Sequence, residues 1–299
     1  MELTQITVTD ADRADLAGRN RAIDPAALDG LHFLGAYRRE IPSNLTRMME
    51  NAYDWEHLPF VHPSSFAAIA PVETGTWGWR CKTALPNGAG TQLIELLVDE
   101  PRHYWATTVV EGAGKGTQIH TQASASPNGG ITVDVRFYLP QAPESEQQAA
   151  MILAYLQAQY ATLYDEDETL MRGRQDALDE RKARRGSTAG VEDIAAVDMG
   201  PEAALDRGRV HEGMSGANRV LVRYAGGAWR AHAARCPHAL APLDTATGDD
   251  QGTITCPWHG YRFDLTSGVE SRGRCGALAI YQTAIEDGRL VVRGANGTV

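Results

Sequence analysis

CPHALAPLD, residues 236–244, and CPWHGYRFD, residues 256–264, decide how the second half of this chain is read. They place Cys236, His238, Cys256 and His259 as Cys-x-His, seventeen intervening residues, then Cys-x-x-His. Two thiolates and two imidazoles delivered by two loops close a tetrahedral metal site, and zinc is the default occupant of such a set in general. A zinc set more often pairs Cys with Cys and His with His. Here each loop brings one of each, the arrangement that lets a two-iron cluster keep one iron all-sulfur and give the other two histidines.

The pattern extends past the ligands. Pro237, Pro257, Trp258, Gly260, Tyr261 and Phe263 stand where Rieske [2Fe-2S] proteins carry such residues, so residues 201–299 resemble an all-β Rieske domain. The respiratory-complex type adds one cysteine to each loop, and Ala241 and Trp258 occupy those places here. The domain is therefore similar to the oxygenase and ferredoxin type, in which the cluster is a one-electron carrier feeding a second site. The resemblance has one departure: the usual Arg-Gly after the first histidine is replaced by Ala239 and Leu240.

Length and composition bound the rest. With 299 residues the chain suggests two domains, and 43% apolar with 22% charged residues is the balance of a globular protein. A formal charge of -10 argues against a nucleic-acid partner, whose phosphates are met by Lys and Arg. The first twenty residues hold no apolar run of a signal peptide, and no stretch of about eighteen apolar residues reads as a membrane span, so a cytoplasmic location is expected. Of four cysteines, Cys81 and Cys275 remain outside the cluster set and read as packed thiols.

Residues 1–43 read as short leading strands. Asn44 is placed to start a helix on which Met48, Met49 and Ala52 recur at helical spacing, ending near Pro59. Five strand-like runs follow, roughly 74–83, 91–98, 102–111, 117–125 and 130–139, separated by PNGAG, EGAGKG and SPNGG. Such turns signal an antiparallel meander. GAGKGT lacks the Lys-Ser/Thr ending of a phosphate loop and lies between strands, so it reads as a hairpin turn. Residues 143–185 read as one long helix with a potential break near Gly173, and 187–200 as a linker. A helix, a curved antiparallel sheet and a long closing helix make an α+β helix-grip (START-like) domain over residues 1–186, which encloses a pocket. Trp77, Trp79, His103, Trp105, Gln118 and His120 alternate along the strands, so some of them face that pocket.

The first helix carries ENAYDWEHLPFVH, in which Asp54 and His57 are three apart, on one helical face, and His62 follows five later, beyond the break at Pro59. Two histidines at this spacing are by themselves weak evidence for a metal. A facial iron triad needs a carboxylate as well, with open positions for dioxygen and substrate. The late helix offers Asp165, Glu166, Asp167 and Glu168 in a row. Asp167 has apolar neighbours at both helical offsets, namely Leu163 at i−4, Leu170 at i+3 and Met171 at i+4. A carboxylate on an inward stripe costs several kcal/mol unless it is paired or ligates a metal. Asp167 is thus the third candidate ligand; the alternative is a rotated helix with all four acids in water.

Asn-x-x-Asp-x-x-His-x4-His, here Asn51, Asp54, His57 and His62, is similar to the catalytic-domain motif of Rieske non-heme iron oxygenases, and YDEDETLMRGRQ resembles their late helix. The resemblance implies that His57, His62 and Asp167 hold a mononuclear iron(II). It implies that Asp54 lies between a cluster histidine and an iron histidine and conducts the electron, with Asn51 as a supporting polar residue. The family more often carries the Rieske domain first, so the domain order here is reversed. The family typically assembles as a homo-oligomeric ring, a trimer, passing the electron between subunits.

The function expected from these residues is a Rieske-type oxygenase component that uses O2 and electrons from a separate NAD(P)H-dependent reductase or ferredoxin. It would hydroxylate a small organic, aromatic or alicyclic substrate. The chain has no strand-Gly-x-Gly-x-x-Gly-helix unit, so the reductase is another polypeptide. Desaturation, oxidative cyclisation or dealkylation would use the same metals. A ligand-binding domain fused to a Rieske electron carrier, without the mononuclear iron, is the non-catalytic alternative.

Overall fold

The computed structural model describes residues 6–185, 196–215 and 218–295. They form two compact units, one ending at Arg172 and the other beginning at Gly173. Residues 187–195 of the expected linker lie outside the described residues, and its last residues enter a strand beginning at Val197. Among the described residues no helix is long and apolar enough to cross a membrane.

The first unit is α+β, as expected. In chain order it has α1 (Asp10–Leu16), β1 (His32–Ile41), α2 (Leu45–Tyr53), α3 (Leu58–Val61), β2 (Ala68–Gly75), β3 (Gly78–Ala84), β4 (Thr91–Asp99), β5 (Tyr104–Gly112), β6 (Gln118–Ala125), β7 (Ile131–Leu139) and the first part of α4 (Glu146–Arg185), whose residues from Gly173 on belong to the second unit. The strands make one seven-stranded antiparallel sheet in the order β1-β7-β6-β5-β4-β3-β2. The sequence reading finds the meander β3 to β7 but merges the end of β2 into β3, because Pro71 and the turn at Gly75 interrupt the alternation that marks a strand. GAGKGT is the β5–β6 turn, with Lys115 N–H donating to Gly112 and Thr117 N–H to Gly114.

Alternation sorts the two faces of the sheet. Trp79, Cys81, Ile94, Leu96, Trp105, Val133, Val135 and Phe137 pack with Met48, Met49 and Ala52 of α2 and with Tyr164 and Met171 of α4. Each fully buried side chain of this size is worth about 1.5–3 kcal/mol. Gly35 of β1 lets α4 come close, since a Cβ there would lie 2.6 Å from Leu153 Cδ2. On the other face Leu93 and Val110 pack with Leu16 of α1. There Glu95, itself buried, accepts from Arg80 Nε at 2.6 Å and Arg19 Nη2 at 2.8 Å, tying the segment after α1 to the sheet.

Two local expectations are corrected. Asn44 caps α2 through Arg47 N–H as expected, but the helix stops at Tyr53. Asp54 is its C-cap and His57 the N-cap of α3, so the two do not share a helix face. Pro59 opens α3 rather than closing α2, because proline fits the first turn of a helix, whose N–H groups are unpaired anyway. The break near Gly173 is absent and α4 is continuous. Within the second unit a Cβ on Gly173 would meet Trp258 Cζ2 at 3.2 Å, so the missing side chain serves close packing, not a kink.

The rest of the second unit is all β. Strands β8 (Val197–Pro201), β9 (His211–Ser215), β10 (Asn218–Ala225), β11 (Ala228–Ala233), β12 (Thr247–Gly248), β13 (Thr253–Thr255), β14 (Arg262–Asp264), β15 (Ile280–Glu286) and β16 (Arg289–Ala295) form two sheets. The six-stranded one runs β8-β16-β15-β11-β10-β9 and the small one β12-β13-β14. Val220, Val222, Trp229, Ala231, Leu290 and Val292 form the core of the larger sheet. The first quoted stretch lies in the loop before β12, and the second is the loop after β13 together with β14.

Candidate metal centres

His57 and His62 stand at the two ends of the one-turn helix α3, and Asp167 reaches them from the buried stripe of α4. All three are buried, and their ligand atoms lie within 4.8 Å of one another. His57 Nε2 is 3.2 Å from His62 Nε2, and Asp167 Oδ1 is 3.0 Å from His62 Nε2 and 3.5 Å from His57 Nε2. These are the separations of neighbouring ligands on one ion at bonds of roughly 2.1 Å. Of the four consecutive acids, Asp165 points outward, 70% exposed and paired with Arg39, as the stripe argument expects.

The outer atoms of the imidazoles decide what the inner ones do. His57 Nδ1 lies 3.6 Å from Asp54 Oδ2, and His62 Nδ1 lies 2.7 Å from Glu166 Oε2. Carboxylates only accept, so in a neutral ring the proton sits on Nδ1 and the Nε2 lone pair faces inward. In that tautomer two nitrogen lone pairs and a carboxylate oxygen face one another, a donor set that could hold a metal ion. Burial opposes charge on His57, but Asp167 and Asp54 outweigh it and hold the imidazole up at about 10, so a metal at this nitrogen would have to displace a proton. Burial likewise opposes charge on Asp167, and His57 and His62 overcome it, holding the carboxyl well below the usual range. Two histidines and one carboxylate suit a divalent iron with positions left open. Asn51, one turn before Asp54, is half-buried, and its Oδ1 has no partner among the described residues. Glu166 is the residue that sequence reasoning misses, since an acid among acids carries no periodic signal.

The strand residues expected near a pocket divide by face. Trp79 and Trp105 are part of the core under α2 and α4. Gln118 and His120 line a cavity of about 220 Å³ with Arg19, Ile23, Glu95 and Thr108, on the face of the sheet opposite that core. His120 is held between Tyr104 Oη at 2.5 Å and Gln118 Oε1 at 2.9 Å, and burial lowers it to about 4. His103 adopts a left-handed conformation at the turn into β5.

In the second unit the two loops are built alike. Cys236 N–H donates to Ala241 O at 2.9 Å and Leu240 N–H to Cys236 O at 3.0 Å; Cys256 N–H donates to Tyr261 O at 2.8 Å and Gly260 N–H to Cys256 O at 3.0 Å. The fifth residue of each loop is left-handed, Leu240 at φ 65° and Gly260 at φ 64°. Leu240 bears this strain with its side chain buried, 7% exposed. Left-handed strain costs about 1–2 kcal/mol, less than the about 1.5–3 kcal/mol a buried leucine contributes. Leu240→Gly is therefore expected to lower the melting temperature slightly with the visible spectrum unchanged; a rise would show that the strain is the larger effect.

Cys236 and Cys256 are both buried. The Cys236 thiol, His259 and the backbone N–H groups of Trp258 and His259 hold Cys256 below the usual thiol range against burial, while the same contact with Cys256, together with burial, pushes Cys236 up. His238 and His259 meet edge to face with ring centres 4.6 Å apart. His259 is buried and His238 exposed. Tyr261 stacks on His238 at 4.4 Å, and the Arg274 guanidinium sits 3.7 Å over Tyr261. Cys275, half-buried, follows Arg274 in a turn fixed by Glu270, which accepts the N–H groups of Arg272 and Arg274.

Two buried thiols and two imidazoles on matched loops define a Rieske-type centre. Residues 196–282 match the family described as Rieske [2Fe-2S] domain, and the chain belongs to that family through this domain. It is similar to Ferredoxin CarAc of Metapseudomonas resinovorans, 30% identical over 101 residues, covering 33% of this chain and 89% of that protein. It is similar also to Apoptosis-inducing factor 3 of Homo sapiens, 32% identical over 92 residues, covering 30% of this chain. The chain spans only 15% of the length of that relative. Among solved structures, a complex of reduced oxygenase and oxidized ferredoxin in carbazole 1,9a-dioxygenase matches with TM-score 0.32 and 22% identity, over 36% of this chain and 99% of the other.

Proposed function

We propose that the chain is the terminal oxygenase component of a Rieske-type system. It hydroxylates a small organic substrate with O2, using electrons from a separate NAD(P)H-dependent reductase or ferredoxin. The observation that carries this reading is the meeting of His57, His62 and Asp167 in one buried set, in a chain that also has a Rieske domain. An electron carrier alone has no use for a buried carboxylate facing two histidines.

Cys236 and Cys256 would hold one iron of the cluster and His238 and His259 the other, while His57, His62 and Asp167 would hold the mononuclear iron. The cluster supplies single electrons, and the mononuclear iron(II) supplies the position where dioxygen is activated. The protein's own share is positional. His238, the exposed imidazole, is the side of the cluster open to a partner. Asp54 stands behind His57, where it would bridge that imidazole to a cluster histidine by hydrogen bonds and so provide the path for the electron, with Asn51 supporting it from the preceding turn. The catalytic domain is residues 1–186, and a ring of three chains would bring one chain's His238 to another's Asp54.

The test is iron and acid-labile sulfide per chain on anaerobically purified protein. About three irons to two sulfides is the expected ratio. Two to two would leave an electron carrier with a binding domain, and zinc without sulfide would remove the Rieske chemistry altogether.

A further inference from the structure

Glu166 and Asp167 are consecutive on α4, yet they meet the same imidazole from opposite sides. Asp167 Oδ1 is 3.0 Å from His62 Nε2, and Glu166 Oε2 is 2.7 Å from His62 Nδ1. His62 is 1% exposed, and the Glu166 side chain 29%. A carboxylate has no proton to give when ionised, so the short contact on Nδ1 is a donor N–H to a charged acceptor, the stronger kind of hydrogen bond. It fixes the ring's rotation and leaves the Nε2 lone pair facing His57 and Asp167. His57 is held differently. Its Nδ1 is 3.6 Å from Asp54, beyond ordinary hydrogen-bond length.

We infer that Glu166 is a positioning residue for a divalent metal: it locks His62 in the tautomer and orientation that ligate, and strengthens the nitrogen as a donor. This rests on the reading that His57, His62 and Asp167 hold a metal. The two histidines are then supported for different ends. The tight contact from Glu166 governs how firmly the metal is retained, and the looser one leaves Asp54 with the electron path.

The experiment is equilibrium dialysis of full-length, cluster-loaded protein against Co(II), read by the cobalt EPR signal with the cluster oxidised. Glu166→Ala should weaken the Kd by about 10–100-fold, the usual cost of losing such a partner. Glu166→Gln should weaken it less, since its carbonyl still accepts from Nδ1–H. The cluster spectrum and melting temperature should match wild type in both. An unchanged Kd in Glu166→Ala overturns the inference, and so does a weakening that merely follows a fall in melting temperature. Absence of Co(II) binding by wild type, with the cluster intact, would instead sink the metal reading beneath it.

Discussion

Asp167→Ala is expected to lose the mononuclear iron while the visible spectrum of the cluster survives. Asp167 Oδ1 is the atom that faces both inward-pointing nitrogens, at 3.0 and 3.5 Å. Its removal takes away the charge that burial otherwise opposes, and leaves His57 and His62 turned toward each other with no anion between them. The loss in affinity should exceed the about 10–100-fold typical of an outer partner, because a ligand itself is gone. The cluster ligands belong to another unit with its own core, so they should be unaffected. Iron analysis gives the answer directly: about two irons for two sulfides where wild type has about three. Unchanged iron would mean that a different acid of the run is the ligand. Asp165 and Glu168, both paired with Arg39, are poor substitutes.

Asp54→Ala is expected to do the reverse, keeping both metals and nearly abolishing turnover. Asp54 caps α2 and accepts from Glu56 N–H at 3.2 Å, while its other oxygen faces His57 Nδ1 from outside the set. His57 Nε2 keeps its place because His57 is the N-cap of α3 and Asp167 remains. A fall of at least about 100-fold, roughly 2.7 kcal/mol on the barrier, is the scale for losing the electron route while the oxygen site stands. Steady-state turnover with an excess of reductase, beside the iron content of the same sample, separates the two effects. Retained turnover would exclude Asp54 from the route.

What the sequence shows follows from where the chemistry is local. The four cluster residues lie within two short loops, so their spacing alone conveys the centre. Asp167 is legible because burial leaves a trace in helical period: of the three apolar neighbours that mark it, Leu170 and Met171 are buried and Leu163 half-buried. Glu166 leaves none, since it is half-exposed and its partner is distant in sequence. Asp54 and His57 show the limit of assigning faces by spacing. Three residues apart is a helical offset only if the helix continues, and the chain between Tyr53 and Leu58 belongs to neither helix. The sheet has the analogous ambiguity. Trp105 and His120 sit on opposite faces, a matter of strand register that cross-strand pairing decides and alternation within one strand does not.

The matched clasps of the two cysteine loops bear on what a substitution within them does. Each is closed by main-chain bonds among six consecutive residues, so the shape of the cradle depends on neither thiol nor imidazole. The main-chain clasp of each loop is thus independent of the side chains it presents, so a substitution at one of these cysteines or histidines would remove a ligand without opening the loop.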